Sequence, residues 1–271
     1  MSEQEKWQLA GSAPENYERY QVPSLFGPMA ELFLSAVSLK TGERVLDVAC
    51  GTGIVARLAA PQVGATGQVT GVDLNPGMLK VAAENTPTSG APIDWREGDA
   101  GNLPCEDGYY HTVLCQQGLQ FFSDQPQALQ EIHRVLVPHG RIAICSWASI
   151  DDNPFNQVIS AALGRHVSAD AATRILAPFS LGDPEVLRAL ISNAHFHHVE
   201  IETRVLTRDM LLPEESIPGY LAATPVAQDV LALTEETRAA LVVDITEGLS
   251  PYQVPDGLSI PQRTNIAIAH K

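Results

Sequence analysis

The sequence predicts a doubly wound α/β fold with a mostly parallel seven-stranded sheet, an antiparallel edge strand, amino-terminal helices and helical insertions forming a lid. Three observations predict it. Strand-like and helix-like segments alternate from Gly42 to about Trp147, which implies parallel strands covered on both faces by crossover helices. The run Val45-Leu-Asp-Val-Ala-Cys-Gly-Thr-Gly53 leads from a strand through a carboxylate into a glycine turn, and the next strand ends in Asp73. Finally, two late strands with no clear crossover helix between them read as an antiparallel pair at one edge.

The elements follow in order. Residues 14–39 read as one or two amphipathic helices. Arg44–Val48 is the first strand and Gly53–Ala60 the helix after it. Gln68–Asp73 is the second strand, followed by a helix over Pro76–Glu84 with proline in its favoured first turn. Ile93–Glu97 and His111–Cys115 are the third and fourth strands, and Pro126–Val135 is the next helix. Pro138-His-Gly140 reads as a turn before a fifth strand at Arg141–Trp147. Residues 150–185 read as helical around Pro154, Pro178 and Pro184, with Pro184–Asn193 covering the sheet. Val199–Thr207 alternates as a sixth strand. Residues 210–258 read as helical, broken by Pro213, Pro218, Pro225, Pro251 and Pro255, and Gln262–His270 is the last strand.

Composition narrows the function classes. A length of 271 residues suits one large α/β unit, and 45% hydrophobic residues is ordinary for a globular chain. Seventeen basic against thirty-two acidic side chains give a formal charge of −15, which repels phosphate backbones and anionic lipid. No nucleic-acid partner is therefore expected. Cys50, Cys105, Cys115 and Cys145 have no C-x-x-C spacing and read as reduced thiols, with no metal site. The charged Met-Ser-Glu-Gln-Glu-Lys start has no apolar core, and no apolar run approaches the roughly 20 residues of a bilayer span. A cytoplasmic location without membrane insertion is expected.

The turn Gly51-Thr-Gly53-Ile-Val-Ala56 formally matches the dinucleotide fingerprint G-x-G-x-x-A, with Asp73 placed for ribose hydroxyls. A nicotinamide or flavin oxidoreductase is therefore one reading. Asp47 opposes it, because a carboxylate just before the turn would face an anionic pyrophosphate. The same charge attracts the α-ammonium of an amino acid. S-adenosylmethionine offers an ammonium, a sulfonium, a ribose and an adenine, with no phosphate.

Further motifs follow: Gly71-Val-Asp-Leu-Asn-Pro-Gly-Met-Leu79, Glu97-Gly-Asp-Ala100, Val113-Leu-Cys-Gln-Gln117 and Arg134-Val-Leu-Val-Pro-His-Gly-Arg141. Together with the first run, they make Val45–Trp147 resemble the core of the class I S-adenosylmethionine-dependent methyltransferases. The resemblance is strongest to ubiquinone/menaquinone-biosynthesis-type and natural-product enzymes. It implies a Rossmann-like domain over 41–271 after a helical cap at 1–40, with insertions at about 150–185 and 210–258. It also implies S-adenosylmethionine as cofactor. Asp47, Ala49, Gly51, Thr52 and Gly53 would hold the methionine end, and Asp73 the ribose. Leu74 and Met78 would pack on the adenine or its sugar, while Asp99 and the Ala100 amide would meet the ring. Cys115, through its carbonyl, and Gln116 would flank the amino-acid end, with Tyr20 closing over the cofactor. His139 departs from the small turn residue the family often has there.

The acceptor is less legible. Ligands of open α/β sheets sit beyond the carboxyl ends of the strands, so Tyr17, Gln117, Phe121, Phe122 and Trp147 are the expected substrate pocket. Methyl transfer from a sulfonium needs alignment and exclusion of water, and a base only if the nucleophile must lose a proton. His166, in the first insertion, and Gln117 are the only catalytic candidates. His111, His133, His195, His197 and His198 fall at the wrong end of the sheet or on covering elements. The proline-rich motifs of DNA methyltransferases and a radical C-x-x-x-C-x-x-C are absent, which favours a small-molecule methyl acceptor. A non-methylating binder of the same cofactor is a third reading. Monomer and homodimer both stay open.

Overall fold

A computed structural model describes residues 13–271; residues 1–12, which hold the charged amino-terminal stretch and the start of the expected cap, lie outside the described residues. The described chain starts with α1 (Ala13–Asn16), a π-helical segment (Tyr17–Phe26) and α2 (Gly27–Val37). The alternating core follows as β1 (Arg44–Val48), α3 (Ile54–Val63), β2 (Gln68–Asp73), α4 (Pro76–Glu84) and β3 (Ile93–Glu97). It continues through β4 (Tyr110–Gln116), α5 (Gln125–Val135) and β5 (Leu136–Trp147).

These segments adopt the expected states for local reasons. In β1 all residues after Arg44 are buried, as a parallel strand covered on both faces requires. The α4 helix starts where Asn75 accepts from the Gly77 and Met78 amides, with Pro76 behind it, a side-chain cap combined with a preset backbone angle. Asp124 caps α5 in the same way, accepting from the Gln127 amide.

The remainder comprises α6 (Pro154–His166), α7 (Ala169–Leu176), α8 (Pro184–Asn193), β6 (His197–Met210), α9 (Pro213–Ala222) and α10 (Ala227–Leu231). Last come α11 (Glu235–Leu249), a two-residue β7 (Gln253–Val254) and β8 (Gly257–His270). The sheet order is β3-β2-β1-β4-β5-β8-β6, with β7 folded back on β8. The chain thus winds outward from β1 in one direction and then from β4 in the other. The crevice between β1 and β4 is the switch point where such folds bind ligands. The expected antiparallel edge is formed by β8, which pairs antiparallel with both β5 and β6.

Several boundaries differ from the sequence reading, among them residues 253–258, expected helical but forming β7 and the start of β8, and three of the differences concern β5, β6 and β8. Pro138–Gly140 was expected as a turn, but Leu136 already pairs with Tyr110, and a register shift carries the strand past it. His139 absorbs that shift with φ 63°. β6 and β8 are also longer than expected. β8 pairs with β5 only from Thr264 onward, whereas β6 and β8 stay paired as far as Met210 and Leu258. The two strands therefore run on beyond the sheet as a ribbon.

Two cores flank the sheet, built around Leu46, Val113 and Ile132 on one face and Phe33, Val55 and Val69 on the other. A third core lies among the inserted helices, where Phe155, Ile217, Leu241 and Ile245 pack with Leu258 and Ile260 of the ribbon. Among the described residues no helix is long and apolar enough to cross a membrane.

The glycine turn is locked by one aromatic ring. Trp95 of β3 lies so close that a Cβ on Gly53 would overlap its ring, and Gly53 has φ 85°. The indole cannot retreat freely, because its Nε1 donates to Thr86 at 2.8 Å. Gly53→Ala is expected to cost about 2 kcal/mol from crowding and left-handed backbone. Combining it with Trp95→Leu should cost less than the sum of the two single changes in chemical denaturation. Strict additivity would remove the steric account.

Candidate functional site

The crevice widens into a cavity of about 290 Å³. One wall is the carboxyl edge of the sheet: Val48, Ala49 and Gly51 after β1, Val72, Asp73 and Leu74 at β2, Gly98 and Ala100 after β3, Gln116 and Gln117 at β4, and Trp147 ending β5. The π-helical segment contributes Tyr17, Gln21, Leu25 and Phe26, and the loop after β4 contributes Phe121 and Phe122. Asn156 from α6, Ile175 from α7, Arg208 from the ribbon and Tyr220 from α9 complete the enclosure.

Twelve of the expected residues meet here: Tyr17, Ala49, Gly51, Asp73, Leu74, Met78, Ala100, Gln116, Gln117, Phe121, Phe122 and Trp147. Others stand behind the wall. Asp47 is buried and accepts from the Ala56 amide at 3.1 Å, in the first turn of α3. Thr52 and Cys115 are buried next to the turn and the β4 end, and Gly53 is under Trp95. Three expectations are not met at the cavity. Tyr20 is 49% exposed and stacks under the Arg19 guanidinium. Asp99 is exposed and spends Oδ1 on the Gly101 amide at 2.7 Å. His166 pairs its Nε2 with Asp244 at 2.9 Å, a carboxylate it shares with Arg165. That contact occupies the ring proposed as a base.

The acidic end of the cavity is tightly organised. Asp73 takes the Gly51 amide on Oδ2 at 2.7 Å and the Asn75 amide on Oδ1 at 2.9 Å. Asn75, rather than Asp73, caps α4. Burial pushes the Asp47 carboxyl up to about 8; the Ala56 amide opposes the shift and the charge of Asp73 adds to it. Burial also raises Asp73, against the Asn75, Gly51 and Leu74 amides. The Tyr17 hydroxyl is pushed well up by burial and by Asp73, so it stays neutral.

Backbone strain marks the same edge. Ala49 and Gln117 have φ of 58° and 55°, left-handed conformations that non-glycine residues adopt where surrounding contacts enforce them. The Gln117 amide donates to the Cys145 carbonyl at 2.7 Å, and its side chain receives Gln120 Nε2 at 2.8 Å. Gln116 Nε2 donates to the Phe26 carbonyl at 3.2 Å, tying the π-helical segment to β4. Gln116 Oε1 is buried and finds no donor among the described residues.

Known proteins match this chain through the same edge. A methyltransferase-domain family model matches residues 46–144. The 2-phytyl-1,4-naphtoquinone methyltransferase of Synechococcus elongatus is 41% identical over 107 residues, 39% of this chain and 46% of that protein. The enzyme of that name from Thermosynechococcus vestitus is 33% identical over 175 residues, covering 60% of this chain and 76% of its own length. The chain belongs to the class I S-adenosylmethionine-dependent methyltransferases. It spans about half the length of the first relatives it matches. The Haemonchus contortus phosphoethanolamine N-methyltransferase 2, solved with S-adenosyl-L-methionine, shares the methyltransferase fold, with a TM-score of 0.55 and 20% identity over 90% of this chain and 52% of that one.

The methyltransferase-domain match stops at residue 144, ahead of Asn156, Arg208 and Tyr220. Together with Gln21, these are among the cavity residues that sequence reasoning missed. Arg208 did leave a signal: it shares the strand phase of buried Leu206 and half-buried Met210, an odd place for a charge.

Asp47 titrates near 3.8 when unperturbed and near 8 in the fold. The ligand-free folded chain therefore holds an extra proton between those values, and its stability falls as pH rises across that window. Asp47→Asn keeps an acceptor for Ala56 and removes the charge. At pH 8 the ligand-free variant is expected to melt about 3 °C or more above wild type by calorimetry, with little difference near pH 4. A variant that melts lower at pH 8 would contradict the buried-acid account.

Proposed function

We propose that the chain transfers a methyl group from S-adenosylmethionine to a small, partly apolar acceptor held between the sheet edge and the inserted helices. One observation carries this reading. Two of the amides that would cradle a diphosphate at a dinucleotide turn are already spent: Gly51 donates to Asp73 and Gly53 to the Cys50 carbonyl. Behind them stands Asp47, a second carboxylate. That end suits a cation and repels a phosphate.

The residues present fit S-adenosylmethionine. Gln116 Oε1, an orphaned buried acceptor, suits an ammonium, as do the two carboxylates. The Asp73 oxygens take backbone amides and retain lone-pair capacity for ribose hydroxyls. Leu74, Met78 and Ala100 offer an apolar slot for adenine. Bound there, S-adenosylmethionine supplies an activated methyl group on a sulfonium.

The chain's own contribution is placement and dryness. Phe26, Phe121, Phe122 and Trp147 present apolar and aromatic surface, which orients a flat acceptor and excludes water. The relatives named for 2-phytyl-1,4-naphtoquinone, and the ubiquinone/menaquinone C-methyltransferase of Neisseria meningitidis, 30% identical over 72% of its length, support a quinone-type or related ring. Gln117 serves by positioning, since a neutral amide is a poor base at physiological pH. Among the described residues no histidine lines the cavity, which favours an acceptor that needs little help in losing a proton.

Calorimetric titration with S-adenosylmethionine, S-adenosylhomocysteine and NAD tests the reading. Both sulfur ligands are expected to bind and NAD to fail; tight NAD binding with no response to either sulfur ligand would defeat it. Asp73→Ala should weaken S-adenosylhomocysteine binding by about tenfold or more through loss of charge-assisted bonds. Radiolabelled methyl transfer into an extracted small molecule is the expected activity.

A further inference from the structure

Among the described residues the cavity has one cation, Arg208, and nothing in the proposed donor site uses it. Arg208 lies on the ribbon wall, only 3% exposed. Among the described residues no carboxylate forms an ion pair with it. Its guanidinium instead rests 4.2 Å from the Phe155 ring centroid and 4.8 Å from that of Tyr220. Nη2 donates to Gln21 Oε1 at 3.2 Å, and Nε is buried without an acceptor. A buried guanidinium normally stands beside a carboxylate, because neutral contacts compensate its lost hydration poorly. Burial pulls this one down to about 10, with Tyr220 opposing the shift.

The surroundings are polar, ordered and neutral. Asn156 Nδ2 donates to the Tyr220 hydroxyl at 3.4 Å, and Gln262 Nε2 donates to Asn156 Oδ1 at 3.3 Å. Arg208, Tyr220, Asn156 and Gln21 all line the same cavity. The other charged lining residue, Asp73, belongs to the sheet edge and makes no ion pair with Arg208. The cavity is therefore acidic on the sheet wall and basic on the ribbon wall. With a net charge of −15 the protein repels anions at long range, so an anion here is held by contact.

We propose that the acceptor carries a carboxylate and that Arg208 binds it from the ribbon wall, with Tyr220 and Asn156 alongside. This rests on the methyltransferase reading and names the class of its acceptor: a flat apolar body with one acidic group. Guanidinium and carboxylate match in shape as well as charge. A single cation suits a monoanion better than a phosphate dianion.

The test uses the full chain saturated with S-adenosylhomocysteine and two probes of the same shape, naphthoate and naphthamide, titrated by calorimetry. Wild type is expected to bind naphthoate about tenfold or more tightly than naphthamide. Arg208→Gln should abolish that preference, and Arg208→Lys should keep part of it. A cation that only braces Phe155 and Tyr220 would give no preference in wild type. Equal binding of the two probes, or none, by wild type overturns the proposal even if the variants fail to fold. Failure of S-adenosylhomocysteine itself to bind would instead strike the methyltransferase reading.

Discussion

Two carboxylates at the ends of neighbouring strands, kept away from water and given no counter-charge by the chain, constrain everything around them. Asp47 and Asp73 cannot both sit comfortably in that position on their own. Backbone amides from Ala56, Gly51 and Asn75 offset part of the cost. That requirement shapes the glycine turn: its first amide is aimed inward at Asp73, and its second glycine lies flat under Trp95. The turn is thus organised around a carboxylate and retains little capacity to grip an anion.

The cavity also has two unlike halves. The sheet wall comes from contiguous motifs whose backbone geometry is forced by parallel pairing. The opposite wall is assembled from the π-helical segment, the ribbon and the inserted helices, which have a core of their own. Gln116 and Gln117 join the halves, one holding Phe26 and the other reaching Met29 and Thr264. Altering the second wall leaves the acidic end in place, a division suited to keeping one donor while varying acceptors.

β1, β2, β4 and the second part of β5 were legible because parallel strands buried on both faces leave dense apolar runs between turn formers, whereas β3 is a half-exposed edge strand. β1, β2 and β3 fall where the sequence placed them. The late strands were cut short, since an antiparallel ribbon with one wet face looks like loop once its alternation meets residues such as Arg208 and Pro261. Ending the sixth strand at Thr207 concealed Arg208. The expected donor-side residues that line the cavity, such as Gly51, Asp73 and Gln116, were legible because they occupy fixed places in short motifs. Gln21, Asn156, Arg208 and Tyr220 come from four separate elements and share no spacing, so only the fold brings them together. His166 shows the converse: its segment does reach the cavity, at Asn156, but its own end of the helix points to Asp244.

The position of β8 has a consequence for how the molecule is made. β6 has no neighbour in the sheet other than β8, so the strand bearing Arg208 has no strand to pair with when it is made, only helical elements already synthesised to pack on. Each strand from β2 to β5 can pair, as soon as it is synthesised, with a strand already made. The second wall waits for residues 257–270, whose insertion between β5 and β6 pairs both strands at once. Nascent chains halted before that point would carry a finished cavity edge facing a half-built partner, with both edges of β6 unpaired and open to chaperones or to other copies.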